Sequence, residues 1–74
     1  MTKEQLRELL SRFLEEMETI ADDENLEYAG LDSMMMMSIV EQLRAQDILV
    51  NFLELAEEPT IEAWIEKIHK HMTV

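Results

Sequence analysis

Seven apolar residues at helical spacing, Leu6, Leu9, Leu10, Phe13, Leu14, Met17 and Ile20, dominate the first third of the chain. At about 100° per residue they fall on one stripe, with charged residues opposite, so the spacing predicts an amphipathic helix over roughly 3–21. Thr2 followed by Gln5 has the spacing that satisfies free N–H groups at a helix start. A stripe of this kind must be buried against other elements. With only 74 residues, those elements are few, and a chain this short buries only about 60% of its unfolded surface. A deep catalytic cleft is excluded on size alone.

The pattern breaks from Asp22 to Asp32. Asp22-Asp23-Glu24-Asn25 is acidic, and Leu26, Tyr28 and Leu31 are expected to pin this long connection to the core. Connections of this length are uncommon in small domains and often functional. Gly30 is the only glycine, and its place just before a helix start suggests a backbone conformation that other residues adopt at a cost. Asp32 then suits an N-cap for a second helix over roughly 33–45, with Met36, Ile39, Val40 and Leu43 facing the core. Ile48 and Val50 alternate with Leu49 in a short extended connector. Asn51 and Glu54 repeat the capping spacing ahead of a short helix at about 52–57. Pro59 and Thr60 open a last helix over about 61–71, in which Ile61, Trp64, Ile65, Ile68 and Met72 share a face. The expected architecture is one all-α domain over residues 1–74, with three longer helices, a short third one and a long first loop.

Composition narrows the chemistry. Cysteine is absent, so the chain has no disulfide, no thiolate metal site and no thiol of its own. Seventeen acidic against six basic residues give a net charge of -11, which disfavours nucleic acid and anionic membranes and favours partners with basic surfaces; solubility alone is an equally good account of that charge. No run is long and apolar enough to span a bilayer, and the first four residues lack a signal-peptide core, so the expected setting is cytoplasmic. His69 and His71 are two apart on a helix, a poor metal pair, and are expected to be solvated. Asp22-Asp23-Glu24 lacks the alternating ligands and glycine of a calcium loop and is expected to be solvated too. A hydrolytic role for Ser33 would need a positioned base, and both histidines lie at the far end of the last helix.

The sharpest local feature is Gly30-Leu31-Asp32-Ser33-Met34, a serine in the first helical turn directly after the cap. Free N–H groups and the positive helix end favour an anionic group on its oxygen; ordinary helix-start chemistry accounts for the same residues. Four consecutive methionines, Met34 to Met37, cannot all face inward. Met36 belongs to the core stripe, whereas Met34 and Met37 form either an exposed patch beside Ser33 or a surface packed under the long loop. Met35 lies at the boundary. Flexible methionines suit a surface that meets several partners in turn.

At these residues the chain resembles the acyl, peptidyl and aryl carrier proteins of fatty-acid, polyketide and nonribosomal peptide synthesis. Gly30-Leu31-Asp32-Ser33 is similar to the family's modification motif, Ile48 to Leu55 to its stretch entering the third helix, and Glu58-Pro59-Thr60-Ile61 to its entry to the fourth. The resemblance covers nearly the whole chain. It implies a small four-helix carrier bundle, no catalytic residue, and a 4'-phosphopantetheine arm attached to Ser33 beside the Asp32 cap, with cargo held as a thioester. Implied partners are a phosphopantetheinyl transferase, an adenylating or loading enzyme, and a condensation or transfer enzyme, each meeting a monomer. Expected docking residues are Met34, Met37, Glu41, Phe52 and Leu53, with core packing an equal account of Phe52. Within the family the likeness is greatest to free-standing aryl or peptidyl carriers of siderophore-type nonribosomal synthesis, through Asp23-Glu24-Asn25-Leu26, the methionine run and Pro59 to Trp64. Fatty-acid carriers have an acidic second helix, whereas no charge lies between Ser33 and Glu41 here. A fatty-acyl or polyketide carrier is the alternative. An unmodified acidic module binding through Met34, Met37 and Phe52 is the alternative of another class.

Overall fold

The computed structural model describes residues 1–72, apart from the side chain of Met72; the expected place of Met72 on the last apolar face lies outside the described residues. The order is α1 (Lys3–Leu10), a 3-10 turn (Met17–Thr19), α2 (Ser33–Arg44), α3 (Phe52–Glu57) and α4 (Ile61–Met72). Helix α1 packs on α4, α2 on α3, and α3 on α4. Leu6, Leu10, Leu26, Ile39, Leu43, Leu55, Ile61, Trp64 and Ile68 close the centre, giving the all-helical bundle expected from the sequence.

The Thr2 box forms as expected: Gln5 N–H donates to Thr2 Oγ1 at 3.1 Å and Thr2 N–H to Gln5 Oε1 at 2.8 Å. The first helix, however, is not continuous over 3–21. It ends at Leu10, and the N–H groups of Phe13 and Leu14 both converge on the Leu10 carbonyl at 2.9 Å. Extending it to residue 21 would set Glu18 in the last turn, at the negative helix end, which disfavours a carboxylate. A tertiary contact also favours the break. The Arg7 guanidinium donates to the carbonyls of Met17 (3.2 Å) and Ile20 (2.8 Å) and to Asp22 Oδ1 (2.6 Å). In a straight helix residue 17 would lie about 15 Å along the axis from residue 7. Leu14, Met17 and Ile20 are buried nonetheless, because the folded-back chain brings them to the same core.

Two further expectations for the loop are corrected. Tyr28 does not pin it: Leu26 and Leu31 are buried, but Tyr28 is 90% exposed. The N–H groups of Ala29 and Leu31 both bond the Leu26 carbonyl, a tight turn that puts Tyr28 at its tip. Nor is Asp22 merely solvated. Its carboxylate takes Lys3 at 2.8 Å and Arg7 at 2.6 Å, and these two cations, Lys3 first, hold it below the usual carboxylate range. Its carbonyl accepts the Glu62 N–H at 3.0 Å, while Leu26 N–H donates to the Pro59 carbonyl at 2.7 Å. The loop is thus tied to both α1 and the start of α4.

Helix α2 stops in a left-handed cap. Asp47 has φ 63°, its N–H reaches the Arg44 carbonyl, and Ile48 N–H reaches the Leu43 carbonyl, both at 2.9 Å. This satisfies carbonyls that a helix end leaves free. Leu43 and Ile48 are both buried there. The connector then alternates as expected, Ile48 and Val50 inward and Leu49 outward. Asn51 Oδ1 accepts Glu54 N–H at 2.9 Å to begin α3, and Thr60 Oγ1 accepts Ala63 N–H at 3.1 Å to begin α4. The indole N–H of buried Trp64 donates to the Leu55 carbonyl at 2.9 Å, fastening α3 to α4.

Candidate functional site

Ser33 is the first residue of α2, and three preceding residues put it there. Gly30 adopts φ +112°, Leu31 is buried as an anchor, and Asp32 turns back as the cap. Asp32 Oδ1 accepts the Met35 N–H at 2.9 Å and its carbonyl accepts the Met36 N–H at 3.0 Å. The N–H groups of Ser33 and Met34 and the Ser33 hydroxyl have no hydrogen-bond partner among the described residues. The residue is exposed. An exposed hydroxyl at an open helix N-terminus accommodates a phosphodiester well, since the free N–H groups and the helix dipole both favour an anion there.

The methionine run divides by depth. Met36 is buried and Met35 half-buried, whereas Met34 is 79% and Met37 59% exposed. Met37 is one turn beyond Ser33 and leads into a groove of about 230 Å³ between α2 and α3, lined by Met37, Val40, Glu41, Arg44, Asn51 and Phe52. The structure therefore brings Met37, Glu41 and Phe52 together. Met34 lies outside this groove, beside Ser33; Leu53 is exposed on α3. Phe52 is half-buried, packing against the core while lining the groove.

Arg44 and Asn51 in this groove escaped the reading of the sequence. Arg44 was within reach of it, since it is seven residues after Met37 and so on the same helix face. Asn51 was not, because its place depends on how α3 folds against α2. Exposed Leu49 was legible only as the outward residue of the connector.

Both histidines are exposed, as expected, and each also makes a bond to another part of the chain. His69 Nε2 lies 2.8 Å from the Met1 carbonyl and His71 Nε2 2.9 Å from Glu54 Oε2. The His71 bond draws the Glu54 carboxyl below its ordinary value against the opposing effect of burial. Lys67 adds a bond to the Glu54 carbonyl, so the far end of α4 clasps α3. Among the described residues no three His, Cys, Asp or Glu side chains gather as a metal site, and no helix is long and apolar enough to cross a membrane.

The family model described as "Phosphopantetheine attachment site" matches residues 4–68. Among curated proteins, the chain is 47% identical over 64 residues to an isochorismatase of Bacillus subtilis, covering 85% of this chain and 20% of that protein. It is 40% identical over 63 residues, again 85% of the chain, to pyochelin synthetase PchE of Pseudomonas aeruginosa and to enterobactin synthase component B of Escherichia coli. It spans about 4% and 22% of their lengths. The chain thus corresponds to at most about a fifth of these much longer relatives. No solved structure matches it. The matched span takes in the capped starts of α2, α3 and α4 and the exposed serine, and the chain belongs to the phosphopantetheine attachment-site family, as a non-catalytic carrier that bears its phosphopantetheine covalently.

Proposed function

We propose that Ser33 is the attachment residue and that the chain shuttles an aryl or aminoacyl group between enzymes of a siderophore-like nonribosomal pathway. The observation that carries the first part is the exposed, unbonded Ser33 hydroxyl at the open start of α2. The second part is supported by relatives whose names denote pyochelin and enterobactin synthesis. The bound arm supplies the thiol that this cysteine-free chain lacks. The chain's own residues do the rest: Asp32 holds the helix start rigid, the free N–H groups of Ser33 and Met34 face the ester phosphate, and Met34, Met37, Glu41, Phe52 and Leu53 form the surface that enzymes meet. That surface serves a transferase that installs the arm, an adenylating enzyme that loads it, and a condensation or transfer enzyme that unloads it, each engaging a monomer. Short, mixed apolar and charged contacts of this kind suit repeated release.

Intact-mass measurement after incubation with coenzyme A and a broad-specificity transferase tests the site. The expected result is a mass gain of one phosphopantetheine, absent in Ser33→Ala; no gain in the wild type refutes it. Loading of the modified chain by an aryl-activating enzyme, and not by fatty acyl ligases, is the result expected for the cargo. Met37→Lys is expected to keep full helix content while slowing modification or loading.

A further inference from the structure

The four methionines of α2 share one chemistry but not one environment. Met34 and Met37 are largely exposed and flank Ser33, Met35 is half-buried, and Met36, at 3%, is shielded in the core, as is Met17 of the 3-10 turn, at 4%. A thioether in water is open to hydroperoxides, and its sulfoxide is polar where the thioether was apolar. Burial protects the core pair for as long as the bundle stays folded. The exposed pair is therefore the part of this face that an oxidant changes first, and the change falls where partners are proposed to dock.

The consequence differs at the two positions. At Met34 a sulfoxide puts a strong acceptor dipole beside the Ser33 oxygen. At Met37 it enters the groove with Arg44, Asn51 and Phe52, where a guanidinium and an amide offer donors to a sulfoxide oxygen and the apolar wall facing Phe52 is lost. Neither change removes a core contact, so the fold survives.

We propose that Met34 and Met37 are a reversible oxidation site that switches the Ser33 face off for partner docking, an inference resting on the docking role proposed above. The oxidant is hydrogen peroxide. A sulfur lone pair attacks one peroxide oxygen, the S–O bond forms as the O–O bond breaks, and the departing hydroxide takes the remaining peroxide proton to leave as water. Sulfur is oxidised by two electrons and the peroxide reduced by two. Reversal needs a dithiol: the sulfoxide oxygen leaves as water while two thiols become a disulfide.

The test uses the full unmodified chain, which has no thiol to compete. It is treated with hydrogen peroxide, the sulfoxides are located by fragmentation mass spectrometry, and the rate of arm attachment with coenzyme A and a broad-specificity transferase is compared before and after. Met34 and Met37 are expected to oxidise at least about tenfold faster than Met17 and Met36, with attachment slowed by at least about fivefold and restored by a methionine sulfoxide reductase. In Met34→Leu/Met37→Leu the ratio of rates with and without peroxide is expected to be near one, whatever the starting rate. Equal oxidation of exposed and core methionines, an unchanged rate after oxidation, or undiminished peroxide sensitivity of the double variant each overturns the proposal. Absence of attachment to the untreated chain overturns the Ser33 assignment, and the docking consequence with it, while the oxidation order is still judged by its own map.

Discussion

Replacing Arg7 by methionine removes the guanidinium that holds the loop while keeping an apolar stem of similar length. Two backbone carbonyls, Met17 and Ile20, lose their donor, and the Asp22 carboxylate retains Lys3. Hydrogen bonds from a charged group contribute about 1.5–3 kcal/mol each when water is excluded. The Arg7 side chain is 28% exposed, so water can replace part of what is lost, and the lower end applies: about 2–3 kcal/mol for the two carbonyls. Against a total stability of about 4–11 kcal/mol for a chain of this length, the effect is large. Urea unfolding followed by fluorescence of Trp64, the only tryptophan and fully buried, reads it directly. With a slope near 1 kcal/mol/M the midpoint should fall by about 2–3 M. Arg7→Lys keeps the charge but not the planar fork that reaches several acceptors at once, so it should recover less than half of the loss. A loss below about 0.5 kcal/mol in Arg7→Met, or full recovery by lysine, would refute the account of why α1 ends where it does.

Asp47→Gly should stabilise the chain by about 0.5 kcal/mol, because φ 63° is strained for a residue with a Cβ and free for glycine; a lower urea midpoint would contradict this. At Gly30 an added Cβ would meet only Leu14 Cδ2, at an ordinary 3.8 Å, so Gly30→Ala should cost about 1–2 kcal/mol through its backbone alone, and a neutral result would show that the turn relaxes. Lys3 and Arg7 hold the Asp22 carboxyl below the usual carboxylate range, so its charged form is favoured in the fold and its contribution is complete above the unfolded value and lost as pH falls through the folded one. The difference in urea midpoint between wild type and Asp22→Asn, present at pH 7, should therefore shrink below about pH 4; a gap that widens with acid would reverse the sign.

Helix starts were legible because a cap is local chemistry. Asp32, Asn51 and Thr60 each bond an N–H three residues on, and each is readable from a short window. The end of α1 was not, because it depends on Arg7 meeting carbonyls ten and thirteen residues away, which only the folded chain brings together. Tyr28 was misjudged for a related reason: apolar character marks a residue as able to be buried, while the turn around Leu26 decides which side it faces. The His71–Glu54 contact spans 17 positions and leaves no pattern along the chain. Ser33 was visible as a helix-start residue, and Met37 and Glu41 on the α2 wall of its neighbouring groove followed from helical spacing, whereas Arg44 did not enter the expectation. On the opposite wall Phe52 was an expected docking residue, while the place of Asn51 depended on the packing of α3.

Helix α3 has six residues, too few to persist in water unaided. What keeps it helical is the grip of α4: the Trp64 indole, Lys67 and His71 all close on Leu55 or Glu54. Its opening should therefore cost less than global unfolding, and its amides should exchange with solvent ahead of those in α1 and α4. Phe52 and Leu53 would move with it. One wall of the groove is then a hinged panel, and a partner that fits it ajar and one that fits it shut draw on different members of the same native ensemble.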